Sequence, residues 1–195
     1  MVRAHMSLYQ NKYRIETARN PCWDYSARGS YFVTICAQGR ACIFGQIVED
    51  KVQLSKIREV AERELQNLSA HYEKIEVPSF VVMPNHLHAI IAIEGEHRFS
   101  RDASVALSAK QHNAGFLSPS AGSLPAIVRS YKAGVTLQCR RLGYNQVIWQ
   151  SRFHDHILRG DAGISAVSEY IRNNPVNWAQ TNSIRRDVAC NVSCV

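Results

Sequence analysis

The sequence predicts an α+β fold: an antiparallel sheet with helices mainly on one face. Three features carry that expectation. Residues 30–37, Ser-Tyr-Phe-Val-Thr-Ile-Cys-Ala, form a β-branched and aromatic run of the kind found in buried strands. Residues 54–72 place Leu54, Ile57, Val60, Ala61, Leu65 and Leu68 at three- and four-residue steps with charges between them, the period of an amphipathic helix. Residues 74–83 and 86–93 then return to strand character on either side of a Pro84-Asn85 turn, which reads as a hairpin.

The remaining elements follow in order. A Gly39-centred turn leads to 41–48, expected to pair with 30–37 as a hairpin. From 95 to 124 the pattern dissolves into Ser, Ala, Gly and scattered charge, expected as a long mobile connection. Residues 126–142 regain helical period through Ile127, Val128, Tyr131, Val135 and Leu137. Residues 148–158 read as a last strand. A final helix is expected over 161–174, with Asp161 as its N-cap and Pro175 as its stop. Strand, strand, helix, hairpin, helix, strand, helix is the order expected of a ferredoxin-like sheet.

Composition narrows the function classes. The chain has 195 residues, 46% hydrophobic and 20% charged, enough to bury a core and too apolar for global disorder. The expectation is one domain over 7–180 with a tail at 181–195; residues 1–6, where a second methionine follows at once, are set aside. No apolar run reaches the roughly 18 residues of a membrane span, and no secretory signal opens the chain, so a cytoplasmic protein without a membrane partner is expected. The six cysteines show no C-x-x-C spacing and read as reduced thiols. The net charge is +7, and it is uneven: residues 125–195 carry 9 basic against 4 acidic side chains, a net of +5. That excess favours a phosphate-bearing partner without choosing among nucleic acid, nucleotide and metabolite.

Three constellations can carry chemistry. His86 and His88 sit at i and i+2 on an expected strand, so both project from one face and can ligate one divalent ion. Two satisfied core or surface histidines fit the same spacing. Tyr170 and Asn174 stand at i and i+4 on the last helix, one turn apart on one face; a packed tyrosine and a C-terminal asparagine cap are the plain alternative. His154-Asp155-His156 repeats the H-x-H spacing among Arg152, Phe153 and Trp149, which reads equally as a phosphate- and base-contacting surface or as a half-exposed strand. No P-loop, dinucleotide fingerprint or G-x-S-x-G elbow occurs.

Taken together, Val-Met-Pro-Asn-His-Leu-His-Ala-Ile-Ile at 82–91, Ile-Trp-Gln-Ser-Arg-Phe-His-Asp-His-Ile-Leu-Arg at 148–159 and Glu-Tyr-Ile-Arg-Asn-Asn-Pro-Val at 169–176 resemble the HUH single-strand transposases with one catalytic tyrosine. The branch they are most similar to is the REP-associated tyrosine transposases, and the resemblance spans most of 9–178. It implies His86, His88 and Asn174 as ligands of a divalent metal ion, Mg2+ or Mn2+, and Tyr170 as the nucleophile. Tyr131 is the rival nucleophile, but its i+4 neighbour is Val135, which offers a metal nothing. The implied activity is cleavage and rejoining of single-stranded or hairpin DNA through a 5′-phosphotyrosine link, by a monomer or homodimer. Arg129, Lys132, Arg140, Arg141, Arg152 and Arg159 are the expected backbone contacts. Two other functions stay open. One is an RRM-like binding module, with Tyr31 as a stacking position; the other is a metal-dependent phosphoesterase that uses water and needs no tyrosine.

Overall fold

The computed structural model describes residues 23–48, 51–94 and 119–185, and a short strand pair, β1 (Leu8–Tyr9) with β2 (Lys12–Tyr13). The further elements are β3 (Gly29–Cys36), β4 (Gly45–Val48), β5 (Lys51–Leu54), α1 (Lys56–Gln66), α2 (Leu68–His71), β6 (Ile75–Val82), β7 (His86–Ile93), α3 (Leu124–Arg141), β8 (His154–Leu158) and α4 (Gly160–Arg185). Of the expected 95–124 connection, 95–118 lies outside the described residues. The expected boundary at 180 falls inside α4, and 186–195, with Cys190 and Cys194, lies outside the described residues.

Four strands build the main sheet in the order β6-β7-β3-β8, every neighbouring pair antiparallel. With α1 and α2 between β3 and β6 and α3 between β7 and β8, this is the split β-α-β arrangement of a ferredoxin-like α+β fold. β3 is central because its odd and even positions are both covered. Tyr31, Val33 and Ile35 join Leu87, Ala89 and Ile91 of β7 under α1, α2 and α3. On the other face, Ile90 and Leu158 pack with Ile171 of α4, and Phe32, Val81, Ile164 and Val167 flank them. Three helices thus share one face, while α4 alone crosses the other.

Local chemistry explains several boundaries. The Ser55 hydroxyl accepts from Arg58 N–H at 3.1 Å and donates to the Ile43 carbonyl at 2.9 Å, capping α1 and anchoring it to the preceding turn. α1 ends at Gln66 rather than running to 72, and Asn67, itself in a helical conformation and donating its N–H to the Arg63 carbonyl, joins it to the single turn of α2. Gly134 of α3 faces α1, where a Cβ would stand 2.9 Å from Glu64 Oε2, the movable end of that side chain. Within α3, Leu137 is exposed and Cys139 takes the buried position instead.

Three expectations are corrected. Residues 41–48 do not pair with β3; β4 pairs with β5 in a separate two-stranded sheet, and β3 takes β7 and β8 as neighbours. The last strand begins at His154, preceded by an isolated bridge between Ala37 and Trp149. Gln150 N–H still donates to the Cys36 carbonyl at 3.0 Å, and the Lys132 ammonium donates to the carbonyls of Gln150 and Arg152 between the bridge and the strand. The last helix neither is capped by Asp161 nor stops at Pro175: Asp161 lies in its first turn, and the helix continues to Arg185. Proline has no N–H for the Ile171 carbonyl and so removes one bond, but Trp178 beyond it packs on the sheet and carries the helix through. Among the described residues, no helix is long and apolar enough to cross a membrane.

Candidate active site

The face of the sheet crossed by α4 gathers the chemistry. β7 presents His86, His88 and Ile90 to it by strand alternation, and β3 presents Phe32, Thr34 and Cys36. Thr34 lies opposite His88, and Cys36 opposite His86. Over this surface α4 lays Ile164, Val167, Ile171, Asn174 and Trp178 at helical spacing. Asn174 is the polar member of that stripe.

The two imidazoles converge. His86 Nε2 and His88 Nε2 stand 3.1 Å apart, with the ring centroids separated by 4.6 Å. His86 Nδ1 lies 2.7 Å from Asn85 Oδ1, an acceptor, so His86 carries its hydrogen at Nδ1 and keeps a lone pair on Nε2. His88 Nδ1 lies 2.9 Å from Thr34 Oγ1, which can donate or accept. Two tautomers satisfy these contacts. In one, His88 Nε2–H donates to His86 and the Thr34 hydroxyl donates to His88 Nδ1. In the other, Thr34 accepts from His88 Nδ1–H, and both Nε2 lone pairs point at a common centre.

A divalent ion fits the second arrangement. At metal–nitrogen distances of about 2.1 Å, two cis ligand nitrogens are about 3.0–3.4 Å apart, which brackets the observed 3.1 Å. Burial lowers the pKa of both rings to about 4, with a smaller contribution from Arg40 for His86 and from His86 for His88. At neutral pH both are therefore uncharged, as ligands must be. Asn174 is only 7% exposed, and its amide makes no hydrogen bond among the described residues. A buried amide without a partner costs about 1–3 kcal/mol, and an ion between the helix and the strand would relieve it.

Tyr170 stands beside this pair. Its ring packs against His88 at 5.5 Å and edge-on to Phe32 at 6.0 Å, while Phe32 stacks on His88 at 5.1 Å. The residue is 46% exposed, so its phenol is reachable from solvent. Two turns on, Trp178 packs against His86 at 5.6 Å. The rival Tyr131 lies on the opposite face of the sheet, 3% exposed, donating its hydroxyl to the Ala61 carbonyl. Burial and Glu64 push its phenol well above the ordinary range, which suits packing and not nucleophilic attack. Tyr31 is likewise excluded as a stacking platform: it is fully buried, accepting from Trp23 Nε1 and donating to the Ala27 carbonyl.

The six expected basic contacts do not form one patch. Arg129, Arg140 and Arg141 are exposed along α3, across the sheet from the histidines. Arg152 and Arg159 flank β8, whose exposed His154 and His156 lie opposite Thr34 and Phe32 and so on the histidine face. Lys132 is half-buried and committed to backbone carbonyls, and burial lowers its pKa. Phe32, Thr34, Asn85 and Trp178 are site residues that the sequence motifs did not single out. Their signals were present: Thr34 is the polar interruption of an apolar strand, and Trp178 stands two turns after Tyr170.

No family model matches the chain. An uncharacterized protein of Haemophilus influenzae is 34% identical over 158 residues, which cover 81% of this chain and 86% of that protein. Among solved structures, a REP-associated tyrosine transposase bound to a REP hairpin shares the fold, with a TM-score of 0.52 and 20% identity over 82% of this chain and 74% of that one. A candidate transposase of Deinococcus radiodurans matches with a TM-score of 0.43 and 11% identity, over 82% of this chain and 97% of that one.

Proposed function

We propose that this chain, which belongs to one family with the Haemophilus influenzae protein, is a single-strand DNA transposase or nickase-ligase of the one-tyrosine HUH type. The observation that carries the reading is the crossing of α4 over β7: one helix sets Tyr170 against His88 and buries Asn174 on the same sheet face. The transposase-like fold, shared with a protein whose structure holds a REP hairpin, supports hairpin-flanked DNA as the substrate.

His86, His88 and Asn174 would hold Mg2+ or Mn2+, which supplies charge neutralisation at the scissile phosphate. The Tyr170 hydroxyl attacks phosphorus, forming a phenolic O–P bond as the bond to the 3′-oxygen breaks. The phenol loses its proton and the departing 3′-hydroxyl gains one, leaving a 5′-phosphotyrosine link. Attack by a free 3′-hydroxyl runs the same exchange backwards and rejoins strands, so no nucleotide triphosphate is consumed. The half-exposed phenol admits a strand, and Phe32 fixes the ring against His88 so that attack starts from one orientation.

The test is incubation with hairpin-flanked single-stranded DNA and manganese. A covalent protein–DNA adduct that survives denaturing electrophoresis is expected, and Tyr170→Phe should abolish it while DNA binding persists. Nicked product without an adduct would instead favour a water-using phosphoesterase, and binding without cutting would favour an RRM-like module.

A further inference from the structure

The turn after β3 brings a free cation to the histidine pair. Arg40 is the one non-glycine residue with positive φ among the described residues, at 56°. A side-chain-bearing residue is strained there, and such strain persists where the surrounding structure enforces it, often at ligand-binding positions. The enforcement is visible. Ala37 N–H donates to the Asn85 carbonyl at 2.9 Å, Arg40 N–H to the Ala37 carbonyl at 3.0 Å, and Phe44 N–H to the Pro84 carbonyl at 3.0 Å. The turn that carries Arg40 is thereby laced to the turn that carries Asn85, whose side chain orients His86.

Arg40 is exposed, and its guanidinium makes no ion pair or hydrogen bond among the described residues. Its turn leaves β3 directly after Cys36, which lies opposite His86 at the same end of the sheet. A planar cation at that end, with no carboxylate of its own among the described residues, is suited to an oxyanion.

We propose that Arg40 is a phosphate-binding residue, its guanidinium taking non-bridging oxygens of a nucleic-acid phosphate on the His86 side of the site. Trp178, packed on His86, walls the same side and offers an aromatic surface to the adjoining base. The proposal rests on the strand-transfer reading for the identity of the ligand, a phosphodiester strand. It adds the group that seats that strand independently of cleavage.

The probe is a five-nucleotide dT strand, measured by fluorescence anisotropy at low salt with manganese present. Arg40→Gly removes the guanidinium and also relieves the left-handed backbone. Its melting temperature should be equal to or above that of the wild type, its manganese affinity should be retained, and its dT affinity should fall about tenfold or more. Arg40→Lys should recover only part of the loss, since an ammonium cannot make the bidentate contact. Arg63→Ala on α1, a control for net charge, should change affinity less than twofold. Unchanged dT affinity in Arg40→Gly would overturn the proposal, as would a melting temperature that falls together with affinity, or an equal loss in Arg63→Ala. Binding of dT needs no cleavage, so failure to form an adduct would sink the strand-transfer reading and leave this measurement standing.

Discussion

Thr34 reaches the histidine pair through one hydroxyl, which can accept from His88 Nδ1–H or donate to Nδ1 and so follows the tautomer of the ring. Thr34→Val keeps the shape and removes the hydroxyl. Manganese affinity should fall about tenfold, the usual effect of losing a group that orients a ligand. Isothermal titration calorimetry reads this directly, and unchanged affinity would mean that the ring is held by Phe32 alone. A second residue-scale expectation concerns pH. Both rings have folded pKa values near 4, below the 6.5 of an unfolded histidine. Between those values the unfolded chain binds more protons, so stability rises with pH across that window. The metal-free protein should keep full stability above about pH 6.5 and lose it progressively towards pH 4. Urea midpoints across that range check the sign, and His88→Asn should flatten the dependence. That His86 shares a face with His88, and Tyr170 with Asn174, was legible because i with i+2 and i with i+4 are properties of a strand and a helix; the roles proposed for them came only with the resemblance. Thr34 and Asn85 were not legible, because their roles exist only once β3 lies beside β7 and the turn folds back on the ring.

At the scale of elements, α4 decides whether the site assembles. Ile171, 2% exposed, ties the helix to Ile90 and Leu158 and follows Tyr170 in sequence. Ile171→Ala should cost about 2–4 kcal/mol in urea unfolding and lower the rate of adduct formation, because the helix that positions Tyr170 loses its anchor. Pro175 has the opposite sign. Within a continuous helix it forgoes the bond to the Ile171 carbonyl, so Pro175→Ala should stabilise the protein by about 1–2 kcal/mol after the loss of proline's restriction on the unfolded chain is offset. The helix was expected to end at this residue because local propensity says so; the contact between Trp178 and His86, nearly a hundred residues apart, overrides it. β4 was misassigned for a related reason. Alternation identifies a strand but not its partner, and the partner of β3 is β7, whose Ile93 lies opposite Gly29.

For the whole molecule, the sheet separates packing from chemistry: α1, α2 and α3 seal one face, and the other keeps a polar cluster under a single helix. Element order made the ferredoxin-like core legible, since β-α-β-β-α-β leaves few pairings for an antiparallel sheet. Charge counting placed the basic excess in 125–195 but could not say that α3 and β8 carry it to different faces. If single strands run past the end of α3, the double reversal Arg140→Glu with Arg141→Glu should lower the slope of log K against log salt by about 1–2. An unchanged slope would put the strand along β8, between Arg152 and Arg159. The proposed reaction turns on Tyr170 as the residue that becomes linked to DNA. Trapping the protein on hairpin-flanked single-stranded DNA with manganese, digesting it, and sequencing the nucleotide-bearing peptide by tandem mass spectrometry tests it most directly. A 5′-phosphate ester on Tyr170 is expected. A nucleotide on any other residue, or DNA cut with no modified peptide, would contradict it.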